Sequence, residues 1–170
     1  MSEIILTTLN ARYTHTAIAL RYLYANMQEL QDSTKIIEFT INENIQDIAE
    51  KLLDNSPNII GIGVYIWNVL PVKELVVTLK KVNPDIKIIL GGPEVSYLPL
   101  RVDFDMADFI IQGEGDVAFY KLCKEIETKQ SPKEQIIRPV MVNLHEITLP
   151  YQYYNEHDIQ NRYIYVEASR

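Results

Sequence analysis

Two glycine-bearing turns are the first candidates for chemistry in this chain: Leu90-Gly91-Gly92-Pro93-Glu94 and Gln112-Gly113-Glu114-Gly115-Asp116. Each directly follows a short, wholly apolar run. Glycine has no Cβ, so its backbone can approach a flat or bulky ligand closely and can adopt positive φ. That chemistry is binding rather than bond-making, and the same residues also serve simply as turn formers. A third turn, Tyr65-Ile66-Trp67-Asn68, carries the only tryptophan. Its rings either close one end of the core or present aromatic surface to a large planar ligand. A fourth segment, Asn10-Ala11-Arg12-Tyr13-Thr14-His15, ends on a histidine that is either a half-exposed helix-start residue or a ligand contact. His145 and His157 fall in the C-terminal part, far from these turns, and no serine or cysteine nucleophile can be assembled with them. No second His or Cys stands at metal-ligand spacing. The single Cys123 lies in a helical pattern and excludes both an internal disulfide and a cluster held by several thiolates.

These turns need elements to position them. Apolar stretches over residues 4–9, 35–40, 59–64, 86–90 and 107–111 read as five strands, each followed by a helical pattern. Ala17, Leu20, Tyr24 and Met27 share one face of a helix over residues 14–30, and Ile45, Ile48, Ala49, Leu52 and Leu53 share another behind an Asn44 N-cap. Val72, Leu75, Val76, Leu79 and Val82 form a third face, and Phe119, Leu122, Cys123 and Ile126 a fourth. The run over residues 59–64 is too continuous for a strand with one wet face, so it belongs in the centre of the sheet, with Gly61 and Gly63 leaving room for tight helix packing. Strict alternation with right-handed crossovers implies a parallel sheet covered on both faces. The expected fold is α/β, a flavodoxin-like (Rossmann-like) three-layer sandwich with a five-stranded parallel sheet in the order 2-1-3-4-5. All four turns then fall at the carboxyl edge of that sheet, where open α/β sheets bind ligands.

Residues 95–106, with Pro99, hold at most a short helix near that edge. Residues 1–130 read as the domain and residues 131–170 as an extension, entered through Ser131-Pro132-Lys133. The extension contains a hairpin or edge strand over residues 136–144 and a break at Leu149-Pro150-Tyr151. It ends on a strand pattern, Tyr163-Ile164-Tyr165-Val166-Glu167, that has nothing nearby in sequence to pair with. Such a strand is expected to continue into a longer polypeptide.

A chain of 170 residues buries about 70% of its unfolded surface without staples. Its 16 basic and 23 acidic residues leave a net charge of −7 with no basic cluster, so nucleic acid is not an expected partner. No apolar run approaches the ~18 residues of a membrane span, and Met1-Ser2-Glu3 leads directly into a strand, which suggests a cytoplasmic protein without membrane contact. A phosphorylatable receiver domain needs acidic residues where Leu9-Asn10-Ala11 and Val64-Tyr65-Ile66 stand. The dinucleotide fingerprint fails because its third glycine position is Ile66. An FMN-binding flavodoxin remains a thin alternative, resting on Thr14 and Thr16 as a phosphate loop.

Taken together, Gly91-Gly92-Pro93-Glu94 and Gly113-Glu114-Gly115-Asp116, with Asn10 to His15 and Tyr65 to Asn68, resemble the cobalamin-binding domain of cobalamin-dependent radical SAM proteins, the family that includes anaerobic magnesium-protoporphyrin monomethyl ester cyclase-like proteins. The resemblance covers nearly the whole chain. It implies a corrinoid cofactor, and a radical SAM barrel elsewhere in the same polypeptide that carries a [4Fe-4S] cluster and binds S-adenosylmethionine. The stretch Tyr165-Val166-Glu167-Ala168-Ser169-Arg170 resembles the strand that leads into the barrel's cysteine motif. On this reading the chain alone catalyses nothing, and substrate choice belongs to the barrel. The Asp-x-His-x-x-Gly loop of other cobalamin domains is missing, so the resemblance implies cobalamin with its own base displaced and no histidine on cobalt. Tyr65 and Trp67 would lie beneath the corrin. Asn10, Arg12, Tyr13, Thr14, His15 and Asn68 would line the site, with Asn10, Arg12 and Thr14 donating hydrogen bonds at the start of the first helix. Gly91, Gly92, Pro93, Gly113 and Gly115 would make room for the nucleotide tail, so that a bulky residue at Gly92 abolishes binding and spares the fold. Glu94 and Glu114 either accept from the ligand or are solvated. A domain that docks on the barrel without any cofactor is the rival reading.

Overall fold

The computed structural model describes residues 3–167. In chain order its elements are β1 (Ile4–Asn10), α1 (Ile18–Ala25), β2 (Thr34–Thr40), α2 (Ile45–Leu53), β3 (Ile59–Gly63), α3 (Val69–Val82), β4 (Lys87–Gly91), β5 (Phe109–Ile111), α4 (Asp116–Glu127), β6 (Ile136–Ile137) and α5 (Glu156–Asn161). The strands form one sheet in the order β2-β1-β3-β4-β5-β6, and every neighbouring pair is parallel. The expected 2-1-3-4-5 order therefore holds, with β6 added in parallel at the edge. That segment is a short edge strand rather than a hairpin, and Val140 and Met141 beyond it are exposed.

Alternation along β1 explains the two cores. Ile5 and Leu9 face a cluster with Ile48, Leu52, Val72, Leu75, Val76 and Leu79 from α2 and α3. Ile4 and Leu6 face the opposite one, with Leu20 from α1 and Phe119, Leu122 and Cys123 from α4. β1 is buried on both sides along its whole length, which requires a near-continuous apolar run. The Asn44 side chain caps α2 by accepting from the Gln46 and Asp47 N–H groups. Pro71 sits in the first turn of α3, where no intrahelical donor is lost.

Two expectations fail locally. The helix foreseen over residues 14–30 is only the eight residues of α1, followed by a separate 3₁₀ turn at Gln28–Ser33. Asn26 stops it: its side chain donates to the carbonyls of Tyr22 and Thr148 and accepts the Thr148 N–H, offering the backbone an alternative to further helix. Gln28 then takes φ 49°. The strand expected over residues 163–167 shrinks to one parallel bridge, Tyr163 to His15. Its partner is remote in sequence, in the loop after β1. Ala168-Ser169-Arg170, the rest of the expected barrel-entry strand, and Met1-Ser2 lie outside the described residues.

Candidate functional site

The carboxyl ends of β3, β4 and β5 carry a floor almost without side chains. Gly61 and Gly63 stand two apart in β3 and so project to the same face, and the parallel register sets Gly63 directly beside Gly91. On that face α1 and α4 leave a gap, a cavity of about 280 Å³ walled by Leu20, Leu23 and Phe119 and floored by these glycines, Gly92, Gly113 and Gly115. A Cβ on Gly91 would meet nothing within 4 Å, and one on Gly113 would meet only Pro139 Cγ at 4.0 Å, although Gly113, at φ 109°, holds a backbone conformation that side chains resist. Gly92 is different. With φ at 110° its Cβ would lie 2.5 Å from the Val64 carbonyl oxygen, so the position is a requirement of the turn itself. The expectation that a bulky residue at Gly92 spares the fold is thereby corrected, and Gly91 is the position that opens only onto the cavity. The Ser96 hydroxyl ties the two glycine turns together, donating to the Gly92 carbonyl at 2.8 Å and accepting the Gly113 N–H at 3.3 Å.

A second cavity of about 340 Å³ adjoins the first, with Tyr65 a wall of both. Asn10, His15, Thr16, Trp67 and Tyr165 complete it. The Tyr65 and Trp67 rings stack with centroids 4.8 Å apart and planes 3° from parallel. Trp67 is anchored by its indole N–H, which donates to the Leu9 carbonyl at 3.1 Å, yet it remains 43% exposed. Burial, and secondarily the charge of Glu38, raises the Tyr65 phenol above its ordinary value. Asn68 is fully buried beneath the rim. Its amide donates to Thr8 Oγ1 and to the Leu9 and Gly63 carbonyls, each at 3.1 Å, and its Oδ1 accepts the Tyr65 N–H.

The loop between β1 and α1 is held from outside. Glu38 of β2 accepts the Ala17 N–H at 3.0 Å, placing a carboxylate at the start of α1, where Asn10, Arg12 and Thr14 were expected to donate to a ligand. The same carboxylate takes the Asn10 amide at 2.7 Å. Glu38 belongs to a buried quartet with Arg21 of α1, Asp158 of α5 and Arg162, whose four ion pairs span 2.6–3.0 Å. Burial acts to raise the Asp158 carboxyl, but Arg21 and Arg162 outweigh it and hold it below the usual carboxylate range. Arg162 also donates to the Tyr13 carbonyl at 2.9 Å and to that of His15. His157, expected far from the rim, reaches it by a hydrogen bond to the Tyr13 hydroxyl. The His15 Nδ1 is hydrogen-bonded to the Tyr165 hydroxyl.

Of the residues singled out in the sequence, Tyr65, Gly91, Gly92, Gly113, Glu114 and Gly115 surround the first cavity, and Asn10, His15, Tyr65 and Trp67 the second. Arg12, Tyr13, Thr14, Asn68, Pro93 and Glu94 line neither. Glu94 turns to Arg101, 3.2 Å away. Sequence reasoning missed Gly61 and Gly63 as floor, although their two-residue spacing within a strand was a usable signal. Helix packing does account for part of Gly61, since its Cβ would lie 2.6 Å from the Phe119 ring. Ser96, Arg162 and Tyr165 carried no local signal. Among the described residues no group of three or more His, Cys, Asp or Glu is placed to hold a metal ion, and no helix is long and apolar enough to cross a membrane.

Comparison with known proteins places this geometry. An uncharacterized methyltransferase, PH0819, of Pyrococcus horikoshii is 23% identical over 81% of this chain and 33% of its own length. The crystal structure of a novel cobalamin-binding protein from Desulfitobacterium hafniense matches 73% of this chain and 58% of its own with a TM-score of 0.51 and 19% identity. The cobalamin-dependent S-adenosylmethionine radical enzyme OxsB, with aqua-cobalamin and S-adenosylmethionine bound, matches 89% of this chain with a TM-score of 0.65 and 16% identity. The chain spans about a third of the curated relative's length and 25% of the OxsB chain. At these identities the structural likenesses speak for the fold. The B12 binding domain family matches residues 4–123, most of the chain, including all of the glycine floor. The chain belongs to the B12-binding domain family.

Proposed function

We propose that this chain is the corrinoid-binding part of a larger radical SAM enzyme and binds cobalamin with its nucleotide tail in the glycine-floored slot. The slot carries this reading: Gly91 faces open volume where any side chain would intrude, and the walls are the apolar Leu20, Leu23 and Phe119. Residues 1–130 supply the slot, and residues 131–170 lead toward the barrel, where the [4Fe-4S] cluster and S-adenosylmethionine belong. Cobalamin would bring a cobalt centre suited to methyl transfer or radical chemistry, which the chain's own residues do not supply. The protein's part is to bind, to orient and to exclude water. Tyr65 and Trp67 would offer the cofactor a flat aromatic pair at the rim and exclude water from that side of the site. The base-displaced form without a histidine ligand is supported by the absence of the Asp-x-His-x-x-Gly pattern. Glu114 lines the slot and is exposed, so it can accept from the tail.

Titration with hydroxocobalamin and, separately, with FMN, followed by absorbance, tests the proposal. A shift to a base-off corrinoid spectrum with saturable binding is expected. Flavin binding alone would overturn it in favour of a flavodoxin-type domain. Silence toward both would favour a domain that docks without cofactor, for which the exposed Ile66, Leu70, Tyr97 and Leu98 beside the carboxyl ends of β3 and β4 are the natural surface.

A further inference from the structure

We infer that the corrinoid site of this chain is completed by its C-terminal extension, with Tyr165 a wall of the site and Arg162 the residue that positions that wall. The inference rests on the corrinoid reading above, and it concerns residues outside the 4–123 segment that matches the family. The second cavity lies on the other side of Tyr65 from the glycine slot, the two sharing that ring as a wall, and among the described residues Tyr165 is the one wall contributed from beyond α4. Its ring lies 5.9 Å from that of His15 at an interplanar angle of 15°. Its hydroxyl bonds His15 Nδ1, and its carbonyl accepts the Tyr154 hydroxyl at 2.9 Å.

Two residues earlier, Tyr163 is pinned to the loop after β1 from both sides. Its N–H donates to the Thr14 carbonyl at 2.8 Å, and its carbonyl accepts the Thr16 hydroxyl at 2.7 Å. Arg162 then reads that loop with its whole guanidinium fork. It takes the Tyr13 and His15 carbonyls on one side and Glu38 and Asp158 on the other. A planar fork with fixed donors can hold two carbonyls and two carboxylates in one geometry, whereas a lysine ammonium cannot. The loop that carries Tyr13 and His15 thus takes its shape from residues about 150 positions later. The aromatic wall of Tyr65, Trp67 and Tyr165 suits the flat macrocycle of the ligand whose tail enters the slot.

Hydroxocobalamin is titrated into the full chain and its variants, with the dissociation constant read from absorbance and the asymmetry of the bound corrin from circular dichroism in the corrin bands. Tyr165→Ala is expected to weaken binding about tenfold and to alter the corrin dichroism. Tyr165→Phe, which removes only the hydroxyl from His15, should cost about two- to tenfold. Arg162→Lys, which keeps the buried charge, is expected to change the corrin dichroism in the same direction as Tyr165→Ala, a readout that loss of stability alone does not move. Far-UV dichroism establishes that each variant is folded, and Tyr165→Phe carries the test where Tyr165→Ala does not fold. Wild-type binding with unchanged constants and corrin dichroism in folded variants would overturn this inference alone. Failure of the wild-type chain to bind would overturn the corrinoid reading and this inference with it. Loss of binding in Gly91→Leu, with Tyr165→Phe only weakened, separates the slot from the wall.

Discussion

Gly91 and Gly92 are neighbours of the same residue type with opposite roles. Gly91 has normal backbone geometry and open space where its Cβ would be, whereas Gly92 sits at φ 110° against the Val64 carbonyl. Gly92→Ala is therefore expected to destabilise the fold by about 1–3 kcal/mol from backbone strain alone, with the clash adding to it. Gly91→Leu should leave the urea midpoint close to wild type while abolishing hydroxocobalamin binding; a Gly91→Leu variant that binds normally would show that the slot does not receive the tail. The sequence marked both glycines, because each follows an apolar run, but it could not separate them. That difference depends on a dihedral angle and on which backbone passes behind it. Glu38 teaches the same lesson from the other side. It reads as one polar residue in a strand, and only the fold brings its carboxylate to the Ala17 N–H just before α1 and to two arginines.

Local pattern was a good guide to the elements wherever burial alone decided them. The paired apolar positions of α2, α3 and α4 and the continuous runs of β1 and β3 are where the periodicities place them, except that Val82, expected on the packed face of α3, is exposed at the helix end. It failed for α1, where the Asn26 and Thr16 side chains donate to backbone carbonyls of the distant 148–163 segment. The quartet that joins α1, β2 and α5 sets the pH response. Asp158 titrates lower in the folded chain than unfolded, because its arginine partners outweigh burial. The unfolded chain then binds that proton more tightly, so the stability from Asp158 is full above the ordinary aspartate value of about 4 and is lost as pH falls through the lower folded value. Thermal melts are expected to be insensitive to this group between pH 7 and 5 and to fall below about pH 4, a fall that Asp158→Asn should blunt. At neutral pH Asp158→Ala, which leaves buried arginines short of a partner, should cost about 3–5 kcal/mol. A loss under 1 kcal/mol in urea unfolding would show that the quartet is solvated.

At the scale of the molecule, the extension is part of the folded unit that the sheet begins. β6 adds to the sheet edge, Tyr153 packs edge-on against Tyr24 at 5.0 Å, and Asp158 and Arg162 close the quartet. A chain ending at Gln130 is expected to unfold at lower urea than the full chain and to show red-shifted emission from Trp67 as the neighbouring cavity opens. An unchanged midpoint would mean that the extension contributes nothing to the fold. The strand order, the two-sided core and the gathering of glycine turns at one sheet edge were all legible in the amino-acid order. Alternation and periodicity report burial, and burial with right-handed crossovers leaves few topologies. The joining of the turns through Ser96, the filling of the α1 start by Glu38 and the return of Tyr163 to the loop after β1 were not legible. Each depends on groups far apart in the chain meeting at a particular distance and angle, and such meetings leave no periodic trace in either partner's local sequence.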